Sequence, residues 1–249
     1  MELDNSWGNA TRAESYAKLE FPNTYYLAYR DLPEIISQHV IGFRAIDFGC
    51  GTGRSTRFLK QLGFNVTGID ISQDMLDIAR KFDITGDYQL VSNGKYSHLG
   101  SNDFDLIQTI FTFDNIPDWN NRINILKSLC DLLKDDGSMI LLDSTPELYT
   151  NEWTSFTTKD FPENRNAKTG DIVRDIMLDV EDRRPVEDVF WSVSDYHKLF
   201  SLSGLTLEAT YKPLGNESEP YNWISETTIA PWIIFVLKKD RRGLSPLHF

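Results

Sequence analysis

The sequence predicts an open α/β sheet with helices on both faces. Three observations predict it. Strand-length apolar runs alternate with helix-length amphipathic runs from residue 44 to residue 142. A glycine-rich turn, Gly49-Cys50-Gly51-Thr52-Gly53, stands between the first such strand and the helix after it. An acid, Asp70, closes the second strand 23 residues after Asp47, which closes the first.

The elements follow in order. Residues 11–39 have helical spacing in two pieces, broken near Phe21-Pro22-Asn23. The first strand is 44–47, and the turn leads into a helix over 55–62 that stops at Gly63, a plausible left-handed cap. The second strand is 65–70, and Ser72 caps a helix over 73–81. Strands follow at 88–91 and 104–109. Residues 120–133 form an amphipathic helix, with Ile123, Leu126, Leu129, Leu132 and Leu133 on one face. Asp136-Gly137 turns into a fifth strand, 138–142.

The alternation then stops. Residues 145–191 are aromatic and charged, and too long for an ordinary connection. They are expected to cover a substrate site, with 171–178 and 185–191 paired as a hairpin. A helix over 193–202 closes at Gly204, and strands at 206–211 and 231–237 finish the pattern. The expected organisation is one domain: lid 1–40, core 41–143, cover 144–192, C-terminal helix and hairpin 193–240, and tail 241–249.

Composition limits the function. With 25 Lys+Arg against 37 Asp+Glu, the formal charge is −12, which disfavours nucleic acid and anionic membrane surfaces as partners. It suits a small neutral or cationic molecule. The 2 cysteines, Cys50 and Cys130, make neither a disulfide framework nor a zinc pattern, so a cytoplasmic setting is expected. No apolar stretch reaches the roughly 20 residues of a membrane span. The 4 histidines show no metal spacing, and no metal site is expected.

The glycine turn carries the chemistry. Glycines let the backbone approach a ligand and adopt torsions closed to other residues. The following helix presents free N–H groups. An acid ending the next strand typically accepts from ribose hydroxyls. Together they describe a site for a nucleoside-bearing cofactor at the carboxyl edge of a parallel sheet. The spacing G-x-G-x-G departs from the dinucleotide fingerprint G-x-G-x-x-G.

Four segments, in order, resemble the class I S-adenosylmethionine-dependent methyltransferases. They are AIDFGCGTG (45–53), VTGIDIS (66–72), FDLIQTIFTFDNIP (104–117) and LLKDDGSMILLD (132–143). The likeness covers about 44–143, and the small-molecule members with a helical lid and an insert after the fifth strand are nearest. It implies a Rossmann-like, doubly wound, seven-stranded sheet with an antiparallel C-terminal strand. It also implies S-adenosylmethionine as cofactor, S-adenosylhomocysteine as product, and methyl transfer to a small-molecule acceptor at O, N or C.

The resemblance also distributes roles. Asp47, Gly49, Cys50, Gly51 and Gly53 would surround the methionine part of the cofactor. Asp70 would hold the ribose, with Ile71 and Met75 beside the adenine and Phe111 near the methyl donor. Relatives often place an acid after the third strand, where Asn93 is the nearest equivalent here. Arg30 is expected to meet the cofactor carboxylate, with Tyr16 or Tyr26 lining the site; a surface salt bridge is the other reading of Arg30. Where relatives carry histidines after the fourth strand, this chain has Asp114-Asn115. Asp114 is expected to orient or deprotonate the acceptor and Asn115 to hydrogen-bond it, with a turn cap before Pro117 as the other reading. Phe113, Tyr149, Trp153 and Trp191 are the candidate acceptor contacts, on the ground that aromatic walls suit planar or cationic ligands. A nicotinamide-dependent oxidoreductase and a non-catalytic cofactor-binding protein are the alternatives.

Overall fold

In this computed structural model, residues 19, 21–92 and 94–240 are described. The main sheet uses β1 (Arg44–Phe48), β2 (Asn65–Asp70), β3 (Asp87–Leu90), β4 (Phe104–Ile110) and β5 (Leu133–Ser144). After three short strands, β6 (Phe156–Thr157), β7 (Ile172–Met177) and β8 (Val186–Val189), it is completed by β9 (Leu205–Tyr211) and β10 (Trp232–Lys239). The helices are α1 (Thr24–Arg30), α2 (Leu32–His39), α3 (Arg54–Gln61), α4 (Gln73–Phe82), α5 (Trp119–Leu132) and α6 (Val193–Leu202).

The seven strands lie in the order β3-β2-β1-β4-β5-β10-β9. β1 to β5 pair in parallel. β10 runs antiparallel to both β5 and β9. From β1 the chain winds outward to β3, then crosses back to β4 and β5 on the other side. That reversal sets β1 beside β4 and opens a crevice at their carboxyl ends. The expected seven-stranded α/β fold is therefore present.

Period-two alternation divides the core. Ala45, Leu106, Ile140 and Ile234 face one layer, and Ile46, Ile107, Leu141 and Phe235 face the other. β4 is buried at every position, because it is central and both its faces are covered.

Three boundaries differ from the sequence reading. The second lid piece is itself two helices, α1 and α2, separated at Asp31, with Pro33 in the first turn of α2, where its missing N–H loses nothing. β5 begins at Leu133, without the expected turn at Asp136-Gly137, because Leu133 already pairs with Phe104 and a register shift before Leu106 absorbs the extra residues. Residues 145–191 hold a small antiparallel sheet, β6-β7-β8. Its β7–β8 hairpin pairs Ile172 with Val189 and Asp175 with Val186, as the pattern suggested. β6, two residues long, has no periodicity to detect.

A buried polar node ties these segments together. Glu226 is fully buried and accepts from the Thr24 hydroxyl (2.6 Å) and the N–H groups of Thr154 (2.7 Å), Ile224 (2.8 Å) and Ser225 (3.1 Å). Thr24 and Ser155 exchange hydrogen bonds, and the Trp232 indole donates to the Thr24 carbonyl (2.8 Å). The start of α1, the insert and β10 therefore meet at one point.

Candidate active site

The first chain turn after β1 is held from below. The N–H groups of Gly49 and Cys50 both donate to the Ile69 carbonyl, at 2.8 and 3.1 Å. Gly49, Gly51 and Gly53 all have positive φ, which residues with side chains adopt only under strain. Each glycine has its own reason for lacking a side chain. A Cβ at Gly49 would stand 2.4 Å from the Thr112 side chain, and one at Gly53 would stand 2.5 Å from the Tyr88 hydroxyl. A Cβ at Gly51 would meet only Met75 Cε, at 3.7 Å. Gly51 thus faces open space on its ligand side.

That space is a cavity of about 520 Å3. Gly49, Cys50, Gly51, Asp70, Ile71 and Met75 line it. Asp70 Oδ2 accepts from the Gly51 N–H and Oδ1 from the Ser72 N–H, both at 2.8 Å. Burial raises the acid's affinity for its proton, and these backbone donors oppose the rise. The carboxylate is fixed in direction, with lone pairs left for further donors. These residues fit a ribose-bearing group: a rigid acceptor for two hydroxyls stands beside a cradle that any Cβ at Gly51 would fill.

A family model described as a methyltransferase domain matches residues 20–209. The chain belongs to this methyltransferase-domain family. It is 33% identical over 108 residues to a ubiquinone biosynthesis O-methyltransferase of Actinobacillus pleuropneumoniae, a match covering 39% of this chain and 44% of that protein. A similar match to the Nitrosococcus oceani protein of the same name covers 51% of it, so the chain spans about half the length of these curated relatives. N-demethylindolmycin N-methyltransferase of Streptomyces griseus is 21% identical over 81% of this chain and 88% of its own. Among solved structures, the CcbJ methyltransferase from Streptomyces caelestis is similar in fold, with a TM-score of 0.62 at 16% identity, covering 89% of this chain and 100% of that one.

In this methyltransferase-domain chain, several expected site residues come together. Gly49, Cys50, Gly51, Asp70, Ile71, Met75, Phe111, Asp114 and Asn115 all line the one cavity. Phe111 holds φ +54 just after β4, a strained conformation for an aromatic residue. Its ring packs on Trp232 with centroids 4.7 Å apart. Two more lie directly behind the wall. Gly53 starts α3, and the buried Asp47 accepts from the hydroxyls of Ser55 (2.7 Å) and Thr56 (2.6 Å). Burial pushes the Asp47 carboxyl up to about 6. Asp47 therefore staples the turn to α3 and does not line the cavity. Burial also pushes the Cys50 thiol up, consistent with a residue that contributes packing rather than nucleophilicity.

Other expectations need correction. Arg30 does not line the cavity: its guanidinium is held by Asp31 (2.7 Å), Glu219 (2.8 Å) and the Leu214 carbonyl (3.0 Å), the surface pairing that was its other reading. Tyr26 lies with it, its ring 5.0 Å from that of Tyr221. Among the described residues, the cation at the cavity is Arg54, in the first turn of α3, with its guanidinium 5.0 Å from the Tyr25 ring and 5.7 Å from the Tyr29 ring. Tyr25 and Tyr29 are buried and also line the cavity. Arg54 sits directly after the glycine turn, and that adjacency was the available signal.

The four aromatic acceptor contacts are absent from the cavity wall. Phe113 is fully buried and packs against Phe48, with centroids 6.0 Å apart. Tyr149 donates to Asp188 (3.1 Å), and the Trp153 indole donates to the Leu148 carbonyl (2.8 Å). Trp191 stacks on Trp119 at 5.4 Å and carries the Arg122 guanidinium over its ring. Tyr149 and Trp153 pack into one layer of the main core, and Phe113 and Trp191 into the other. The wall they were expected to form is made instead by Phe156, Met177, Asp175, Glu187 and Asp188 from β6, β7 and β8. Tyr16 and Asn93 lie outside the described residues.

Proposed function

We propose that this protein binds S-adenosylmethionine and transfers its methyl group to a small-molecule acceptor. The observation that carries the reading is Asp70, tied between the Gly51 and Ser72 N–H groups beside a glycine turn that faces a cavity. Asp70 would accept from the ribose hydroxyls, Ile71 and Met75 would flank the adenine, and Gly49 and Gly51 would admit the methionine part. Arg54, in place of Arg30, is the cation for the cofactor carboxylate. The bound sulfonium supplies an activated methyl group. The remaining catalysis is positioning, since a good leaving group leaves the protein chiefly to align the acceptor and exclude water.

Asp114 and Asn115 line the same cavity as Asp70, and their proposed role is as the acceptor's partners. Asp114 is 5% exposed, with Asn115 Nδ2 donating to one oxygen at 2.8 Å and Ser144 Oγ to the other at 3.3 Å. A carboxylate so held receives an N–H or O–H from the acceptor and can take its proton after transfer. The named relatives include both O- and N-methyltransferases, and the acceptor atom stays open among O, N and C. The small cavity and the −12 charge favour a small neutral or cationic acceptor over nucleic acid or a membrane surface.

Isothermal titration tests the reading. S-adenosylmethionine should bind, and Asp70→Ala should weaken it by about 10-fold or more, the loss expected for hydrogen bonds to a charged group. Binding of NAD with none of S-adenosylmethionine would overturn it.

A further inference from the structure

We propose that Asp114 and Asp143 form a carboxyl–carboxylate pair sharing one proton, held on Asp143, which keeps Asp114 as the charged hydrogen-bond acceptor at the cavity wall. The role given to Asp114 rests on the function proposed above; the pair itself does not.

Asp143 lies near the end of β5 and is fully buried. Its Oδ2 accepts the Tyr196 hydroxyl at 2.6 Å. Its Oδ1 meets no N–H or O–H donor among the described residues. A buried carboxylate oxygen without a donor is costly. The group within its hydrogen-bonding reach is another carboxyl, that of Asp114. Two carboxylates in contact, one of them fully buried, do not both stay ionised. A single proton on Asp143 Oδ1, donated to Asp114, removes the like-charge repulsion and completes the missing hydrogen bond.

The surroundings place that proton. Asp114 reaches the cavity and already receives the Asn115 amide and the Ser144 hydroxyl, so its negative charge is well served. Asp143 is farther from solvent, and burial together with the Asp114 charge pushes its carboxyl well above the usual range. The other groups facing Asp143 do not replace the proton. Arg122, from α5, is fully buried and its guanidinium makes no hydrogen bond among the described residues. It is held by rings, 4.1 Å from the Trp191 centroid and 4.9 Å from that of Tyr196. Its charge attracts Asp143 without ligating it. Tyr196, from α6, already gives its hydroxyl to Oδ2. Tyr149, from the turn after β5, gives its own to Asp188.

Asp143 is thus a positioning residue. While it holds the proton, Asp114 can accept from an acceptor's N–H or O–H. A neutral Asp114 would offer its own proton instead and present the wrong partner.

Infrared spectroscopy of the cofactor-free protein tests this. At about pH 8, where an ordinary aspartate is ionised, the wild type should retain the carbonyl stretch of a neutral buried carboxyl. Asp143→Asn should lose that band. Tyr196→Phe, which removes the donor to Oδ2, should shift it to higher frequency. Absence of the band in the wild type overturns the proposal, whatever the variants do. So does a band that neither substitution moves. Because no cofactor is present, a failure of S-adenosylmethionine binding would reject the proposed function and leave this measurement standing.

Discussion

At the scale of single residues, burial decides how the acids behave. Asp47 never touches the cavity, yet it holds the glycine turn to α3 through Ser55 and Thr56. That service is costly. Burial lifts its carboxyl from 3.8 to about 6, so the folded chain binds the proton more tightly than the unfolded chain. Stability from this group therefore falls as pH rises from about 3.8 to about 6, and the full cost persists above that. At about 1.4 kcal/mol per pH unit, the cost is about 3 kcal/mol. Asp47→Asn cannot ionise and lacks this dependence. Urea unfolding at pH 7 and pH 4 should show the wild type gaining about 2 kcal/mol relative to the variant at the lower pH. A constant difference would reject the assignment. The residue scale is also where sequence and structure part most clearly. Asp70 and the glycines were legible because a strand end and a turn are local features. Arg30 and Arg54 were not separable, because which arginine reaches the cavity depends on Asp31 and Glu219, acids that claim the first one.

At the scale of elements, strong local signals gave correct elements, and weak ones did not. α6 begins with a capping box, in which the Ser192 hydroxyl accepts the Asp195 N–H and the Asp195 carboxylate accepts the Ser192 N–H. The Ser192 hydroxyl also donates to Asp195, and that carboxyl lies below its ordinary range, with its hydrogen bonds to Ser192 and Thr169 opposing the effect of burial. Because α6 carries Tyr196 to Asp143, its first turn matters beyond its own stability. Ser192→Ala should cost about 1 kcal/mol in chemical denaturation. Its infrared spectrum should retain the Asp143 band, because the rest of α6 is packed on β9 and α5. β5 was read five residues short at its start because an internal Gly137 looks like a turn. Its pairing with β4 decides otherwise, and pairing is not local.

At the scale of the whole molecule, the crevice is roofed by segments far apart in the chain. Thr24, Ser155, Glu226 and Trp232 meet in one buried node, so the lid helix, the insert and the last strand are held together over the cavity. A ligand filling that cavity binds only the folded chain. S-adenosylmethionine at about 100 times its dissociation constant should add about 2.7 kcal/mol of stability. For a chain of this size that raises the thermal midpoint by roughly 5–10 °C, read by scanning fluorimetry. No rise at saturating ligand would contradict a site buried beneath this roof.

The order of the elements, the glycine turn, Asp70 and the α/β class were determined by the sequence alone, since each depends on neighbours within a few residues or on the period of apolar side chains. The aromatic rings expected at the acceptor were visible in number, but their destination was not. Phe113, Tyr149, Trp153 and Trp191 went to packing, and β6, β7 and β8 supplied the wall instead. Likewise, nothing local joins Asp143 to Asp114, Tyr196 and Arg122. Their meeting depends on strand register and helix docking, which arise only when distant segments compete for the same buried volume.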